Sequence, residues 1–156
     1  MNKNIKYLIE DIVNFNPAEY KDDENSLLGQ DEIYSVLKTP INLNQLKILI
    51  RQKINENPEN PYLKDIDTSL INSMYNLFSG DEFADIKILD LSAWDTSNVK
   101  NMACMFKNLT NLEKIKLSPK FDTSNVKTMR MMFYNCQSLQ SPDLSNFNTV
   151  NVRDMS

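Results

Sequence analysis

The sequence contains no histidine. That absence excludes His-containing zinc sites, Ser-His-Asp triads and Cys-His pairs, each of which needs an imidazole as ligand or base. Cysteine is scarce as well: the two present do not make a disulfide framework. No apolar run approaches the length that a bilayer-spanning helix requires. At the start, Asn2-Lys3-Asn4-Ile5-Lys6 is followed by Glu10 and Asp11, which interrupt the unbroken apolar region of a signal peptide. The expected location is therefore cytoplasmic, or surface or secreted if the chain is a processed or truncated fragment. Net positive charge is lacking too. A formal charge of −4 argues against a general nucleic-acid binder, which needs a basic face to displace counterions from phosphates. The acidic stretch Lys21-Asp22-Asp23-Glu24-Asn25-Ser26 lacks the alternating ligands and terminal Glu of a helix-loop-helix calcium site, so it reads as a solvated loop. No catalytic residue, metal or cofactor is expected, and the chain is read as not an enzyme.

What the chain does contain is self-similarity. Asp95-Thr96-Ser97-Asn98-Val99, with Met102, Met105 and Phe106 behind it, returns almost letter for letter from Asp122 to Phe133. The same register finds Asp67, Thr68, Ser69, Ile71, Met74 and Phe78 upstream, and Asn148, Thr149, Val152 and Met155 downstream. The starts lie 28, 27 and 26 residues apart, which is the spacing of stacked repeats. Val99, Met102 and Phe106 stand at i, i+3 and i+7, and the Asp-Thr-Ser lead offers capping oxygens, so each unit is expected to open with a capped helix. A shorter signal of period two follows at Leu89 and Leu91, at Ile115 and Leu117, and at Pro142 and Leu144. It predicts a strand of about three residues.

A strand and a helix in every unit define an α/β leucine-rich-repeat solenoid, with short parallel strands on one side and helices on the other. The stretch Asp90-Leu91-Ser92-Ala93-Trp94-Asp95-Thr96-Ser97-Asn98-Val99 through Met105-Phe106 resembles the BspA-type bacterial leucine-rich repeat. The likeness covers Asp67 to Ser156, including the closing aromatics Trp94, Phe121 and Phe147. It implies a bacterial surface or adhesion-type interaction protein. An intracellular regulator or inhibitor that occludes an enzyme or a nucleic-acid-handling complex stays open as the alternative.

Residues 63–156 are accordingly read as the solenoid, three complete units and a truncated fourth, and residues 1–62 as its α-helical N-terminal cap. Within the cap, helical periodicity marks Lys3 to Phe15, a short helix is expected at Glu32 to Lys38, and a stronger one runs from Asn44 to Asn57. In the last, Leu43, Leu46, Ile50 and Ile54 share a face, and Asn42 is placed to cap. The methionines at repeat positions, and both cysteines, are read as core; Met131 is off-register and expected to be exposed.

Composition supports a folded chain, with 41% apolar and 24% charged residues. Charge is uneven: residues 1–94 hold 9 basic and 16 acidic side chains, whereas residues 95–156 hold 8 and 5. Such asymmetry can steer a protein partner. Partner binding is assigned to the outward positions of the strands, in three columns: Asp90, Lys116 and Asp143; Ile88, Lys114 and Ser141; and Ser92, Ser118 and Ser145. Because the fourth unit lacks its strand, Leu144, Phe147, Val152 and Met155 have no covering layer. They are the candidates for self-association into a homodimer.

Overall fold

The computed structural model describes residues 39–156, which form one unit, Thr39–Ser156. The helices expected at Lys3 to Phe15 and Glu32 to Lys38, and the acidic loop between them, lie outside the described residues. Helix α1 spans Leu43–Glu56. Asn42, in an extended conformation, accepts a hydrogen bond from the Gln45 N–H through its side chain (3.0 Å), as a cap should. The helix stops at Asn57, whose extended backbone is what the following Pro58 demands. Leu46, Leu49, Ile50 and Ile54 form its buried face. Lys53 pairs with Asp65 at 2.8 Å and Arg51 with Glu82 at 3.0 Å, tying the helix to residues 65–83.

Beyond α1 the fold departs from expectation. Among the described residues, Asp81–Phe83 forms a 3-10 turn, and strands β1 (Ile88–Leu91) and β2 (Lys114–Leu117) make a two-stranded parallel sheet. The α/β leucine-rich-repeat solenoid is thus corrected, because the units do not each contain a strand and a helix. Where a helix was expected after Asp95, the chain makes successive three-residue turns. Val99 N–H donates to Thr96 (2.9 Å), Met105 to Met102 (3.2 Å) and Leu109 to Phe106 (3.3 Å). The amides between them bond sideways: Met102, Cys104, Phe106 and Asn108 donate to Thr128, Arg130, Met132 and Tyr134 at 3.0, 2.8, 3.0 and 2.9 Å. A helix would have sent those amides to its own residues four positions back.

Positive φ explains why a helix cannot run here. Cys104 and Asn108 stand at φ 56 and 67, as do their counterparts Asn76, Met131 and Asn135 at 53, 51 and 59. The left-handed region usually falls to glycine or asparagine, and this chain has only two glycines. The Asp-Thr-Ser lead also does other work than helix capping. Asp67, Asp95 and Asp122 accept from the amide two residues on (3.0, 2.9 and 2.8 Å), closing local turns. The buried hydroxyls of Thr68, Thr96 and Thr123 donate to the carbonyls of Asp95, Asp122 and Asn148 (2.8, 2.8 and 3.0 Å). Asn98, Asn125 and Asn151 reach back to Ser69, Ser97 and Ser124.

The core follows the apolar repeat positions. Ile71, Val99 and Val126 are buried, as are Met74, Met102 and Met129. Phe106 stacks between Phe78 and Phe133, at centroid distances of 5.7 and 5.3 Å, so the aromatic column runs through three units. Trp94 is buried and donates its indole N–H to the Leu63 carbonyl (3.0 Å), satisfying the one polar atom that its burial would otherwise strand. Cys104 and Cys136 are half-buried, short of the core positions expected for them. Met131 is half-buried as well, not exposed.

Candidate protein-binding face

The sheet register pairs Ile88 with Lys114, Leu89 with Ile115, Asp90 with Lys116, and Leu91 with Leu117. Leu89, Leu91 and Ile115 turn into the core. Strand alternation then carries Asp90, Lys114 and Lys116 to the opposite face. Two of the expected columns are brought together in this way, Ile88 beside Lys114 and Asp90 beside Lys116.

Their third members are not. Ser141 and Asp143 are exposed but belong to no strand: Ser141 has φ 34, and Pro142 has no N–H with which to extend the ladder. A single main-chain bond, Gln140 to Glu113 (3.3 Å), links that segment to the start of β2. The serine column fails for another reason. Ser118 is buried, donating to the Trp94 carbonyl (3.4 Å) and accepting from the Lys120 amide, while Ser92 is engaged by Asp90.

Asp90 is the most constrained charge of the face. Its Oδ1 accepts from the Ser92 hydroxyl (2.6 Å) and amide (3.2 Å), and its Oδ2 lies 3.0 Å from Lys64 Nζ and 3.3 Å from Lys116 Nζ. Partial burial opposes ionisation. The bonds from Ser92, Lys64 and Lys116 outweigh it and hold the carboxyl far below the usual carboxylate range. Lys64 was missed by sequence reasoning, although a signal existed. It precedes Asp90 by the same 26-residue step that separates Asp90 from Lys116, so stepping the register back once exposes an alternating Lys-Asp-Lys column.

Lys116 also stands between two clefts. One of about 210 Å³ is lined by Tyr62, Lys64, Ile88, Asp90 and Lys116; the other, of about 230 Å³, by Lys116, Leu117, Phe121, Asp143 and Phe147. Tyr62 is 61% exposed, with the Lys53 ammonium 5.9 Å from its ring centre. It is a second residue that the sequence did not single out.

The self-association candidates lie elsewhere. Leu144, Phe147 and Val152 are half-buried and Met155 is 63% exposed. A groove of about 490 Å³ runs past Leu144, Phe147 and Met155 to Met129, Met132 and Phe133. Among the described residues, no group of three or more Cys, Asp or Glu side chains is placed to hold a metal ion, and no helix is long and apolar enough to cross a membrane.

Together these features define a repeat-bearing chain whose units exchange main-chain and Thr/Asn hydrogen bonds and which presents a patterned lysine–aspartate face. The chain belongs to the family described as Mycoplasma protein of unknown function, DUF285, which matches residues 49–156. No curated protein and no solved structure matches it.

Proposed function

We propose that this chain is a non-enzymatic protein-binding module that engages its partner with the face carrying Ile88, Asp90, Lys114 and Lys116. The observation that carries the reading is the fixed Lys64–Asp90–Lys116 arrangement between two clefts. Two ammonium groups share one carboxylate there, and Lys114 is exposed beside them, so the face retains positive charge for a partner's carboxylates. Charges held in place before contact cost little to order on binding, and they favour specificity and fast association. The resemblance to BspA-type repeats supports a bacterial surface or adhesion setting.

The test is partner capture followed by charge reversal. The 156-residue chain is used to isolate a protein from the native cell surface, and binding is remeasured with Lys114→Glu/Lys116→Glu. Binding should weaken by at least about tenfold and lose much of its salt dependence. An unchanged affinity, in a variant with a wild-type melting profile, would remove this face from the reading.

A further inference from the structure

The edge of the sheet that β1 turns toward residues 60–64 carries main-chain groups that β2 does not use. In a parallel pair, the main-chain groups of successive residues point alternately to the two sides of the strand. The Lys114 amide donates to the Lys87 carbonyl (3.2 Å), which fixes the phase: Leu89 and Leu91 bond toward β2, and Ile88 and Asp90 face residues 60–64. On that side the Ile88 amide donates to the Glu59 carbonyl (3.1 Å). The Ile88 carbonyl, and the amide and carbonyl of Asp90, make no hydrogen bond among the described residues.

Residues 60–64 fail to pair with this edge for local reasons. Pro61 has no N–H to offer. The Leu63 carbonyl accepts the Trp94 indole N–H (3.0 Å), and the Glu59 carbonyl already receives two amides, those of Lys87 (2.8 Å) and Ile88. Between the two segments lies the cleft of about 210 Å³ lined by Tyr62, Lys64, Ile88, Asp90 and Lys116. The Glu59–Ile88 bond closes it at one end and the Lys64–Asp90 pair at the other, so a strand cannot pass through. A chain that ends inside it needs no way out.

The groups lining the cleft select what can end there. Lys64 and Lys116 converge on Asp90 Oδ2 (3.0 and 3.3 Å) with their side chains 41% and 51% exposed, so two ammonium groups face one carboxylate and a positive charge is left over. Beside them, the Ile88 carbonyl and the Asp90 amide are spaced as a parallel ladder spaces the two bonds to one residue of a neighbouring strand. A main-chain N–H followed at once by a carboxylate is the last residue of a polypeptide. We propose, on the reading that this face binds a protein, that the cleft captures the free C-terminus of the partner polypeptide. The N–H of its last residue donates to the Ile88 carbonyl, and its carboxylate accepts from the Asp90 amide and from the Lys64 and Lys116 ammonium groups. Opposite Leu89 the last side chain points inward toward Pro61 and Leu63, which admits only a small one. The penultimate side chain lies on the outer face beside Ile88 and Tyr62.

Fluorescence anisotropy tests this with the 156-residue chain and fluorescein-labelled Gly-Ser-Gly-Ser-Val-Ala. The free-acid peptide should bind with a Kd between about 10 μM and about 1 mM, and the same peptide with a C-terminal amide at least about tenfold more weakly. Lys64→Gln should weaken the free acid at least about fivefold, and Lys64→Arg should restore most of the loss. Lys100→Gln, at an exposed lysine outside the cleft, should change nothing. In hydrogen exchange, the free acid should protect the Asp90 amide and the amidated peptide at the same concentration should not. No binding of the free acid up to about 1 mM, equal binding of acid and amide, or equal binding of the amidated Gly-Ser-Gly-Asp-Val-Ala, whose carboxylate is internal, would each overturn the proposal. A captured partner weakened by Lys114→Glu/Lys116→Glu, alongside peptides that bind alike as acid and amide, would leave the face standing and remove the terminus. An acid preference that depends on Lys64, alongside a captured partner indifferent to that charge reversal, would keep the terminus site and remove the face.

Discussion

Met102 and Met155 occupy the same position of the same motif, yet Met102 is fully buried and Met155 is 63% exposed. The pattern holds along the whole unit. Val99, Phe106 and Trp94 are fully buried, whereas Val152, Phe133 and Phe147 are half-buried. Among the described residues, the segment around Met102 is bonded on both sides, Met74 to Asn101 and Met102 to Thr128, whereas the segment around Met155 is bonded only to the preceding unit, Met129 to Asp154 and Met131 to Ser156. A residue's contribution to this fold is thus set by the neighbouring unit as much as by its own identity.

Truncating the methionines should break this comparison open most widely. Met102→Ala is expected to destabilise by roughly 2–5 kcal/mol, as core truncations do, and Met155→Ala by less than about 0.5 kcal/mol at concentrations where the chain is monomeric. Equal shifts in urea midpoint would mean that the two layers are alike in solution.

A smaller effect should appear on acidification. The folded-state pKa of Asp90 is depressed, so its contribution to stability is present above the unfolded value of about 3.9 and is lost as pH falls toward the folded value. Thermal melts between pH 7 and pH 2 should show Asp90→Asn flattening the acid-side decline. Asp143→Asn, on the exposed carboxylate that was expected in the same column but lies outside the sheet, should leave the slope nearly as it was, although hydrogen bonds from the Ser145 side chain and amide also lower its pKa. Identical slopes for the two variants would show that pairing with Lys64 and Lys116 does not set Asp90 apart from the exposed Asp143.

The smallest expected effect sharpens the comparison between units. Cys104 adopts the left-handed backbone that asparagine adopts at the equivalent Asn76. Cys104→Asn should therefore stabilise by up to about 1 kcal/mol, visible as a raised urea midpoint with an unchanged slope. A lowered midpoint would show that the half-buried thiol matters more than the strain.

The amino-acid sequence determined the repeat, its register and the identity of its core. Ile71, Met74, Phe78, Val99, Met102 and Phe106 recur because each of these units buries the same apolar set, and that periodicity survives whatever backbone carries it. Helix α1 was legible for a local reason: its cap at Asn42, its apolar face and its stop before Pro58 all lie within one short segment. The column of Asp90 and Lys116 was legible from strand alternation. Only the tertiary structure decided that Val99 to Leu112 is a chain of turns. Apolar residues three apart fit a helix and a three-residue turn equally well over so short a window. The choice fell to amides that find carbonyls on the adjacent unit, about 27 residues away in sequence. The missing third strand, the burial of Ser118 and the pairing of Lys64 with Asp90 were decided at the same level, by which units lie side by side and by the single amide that Pro142 cannot supply.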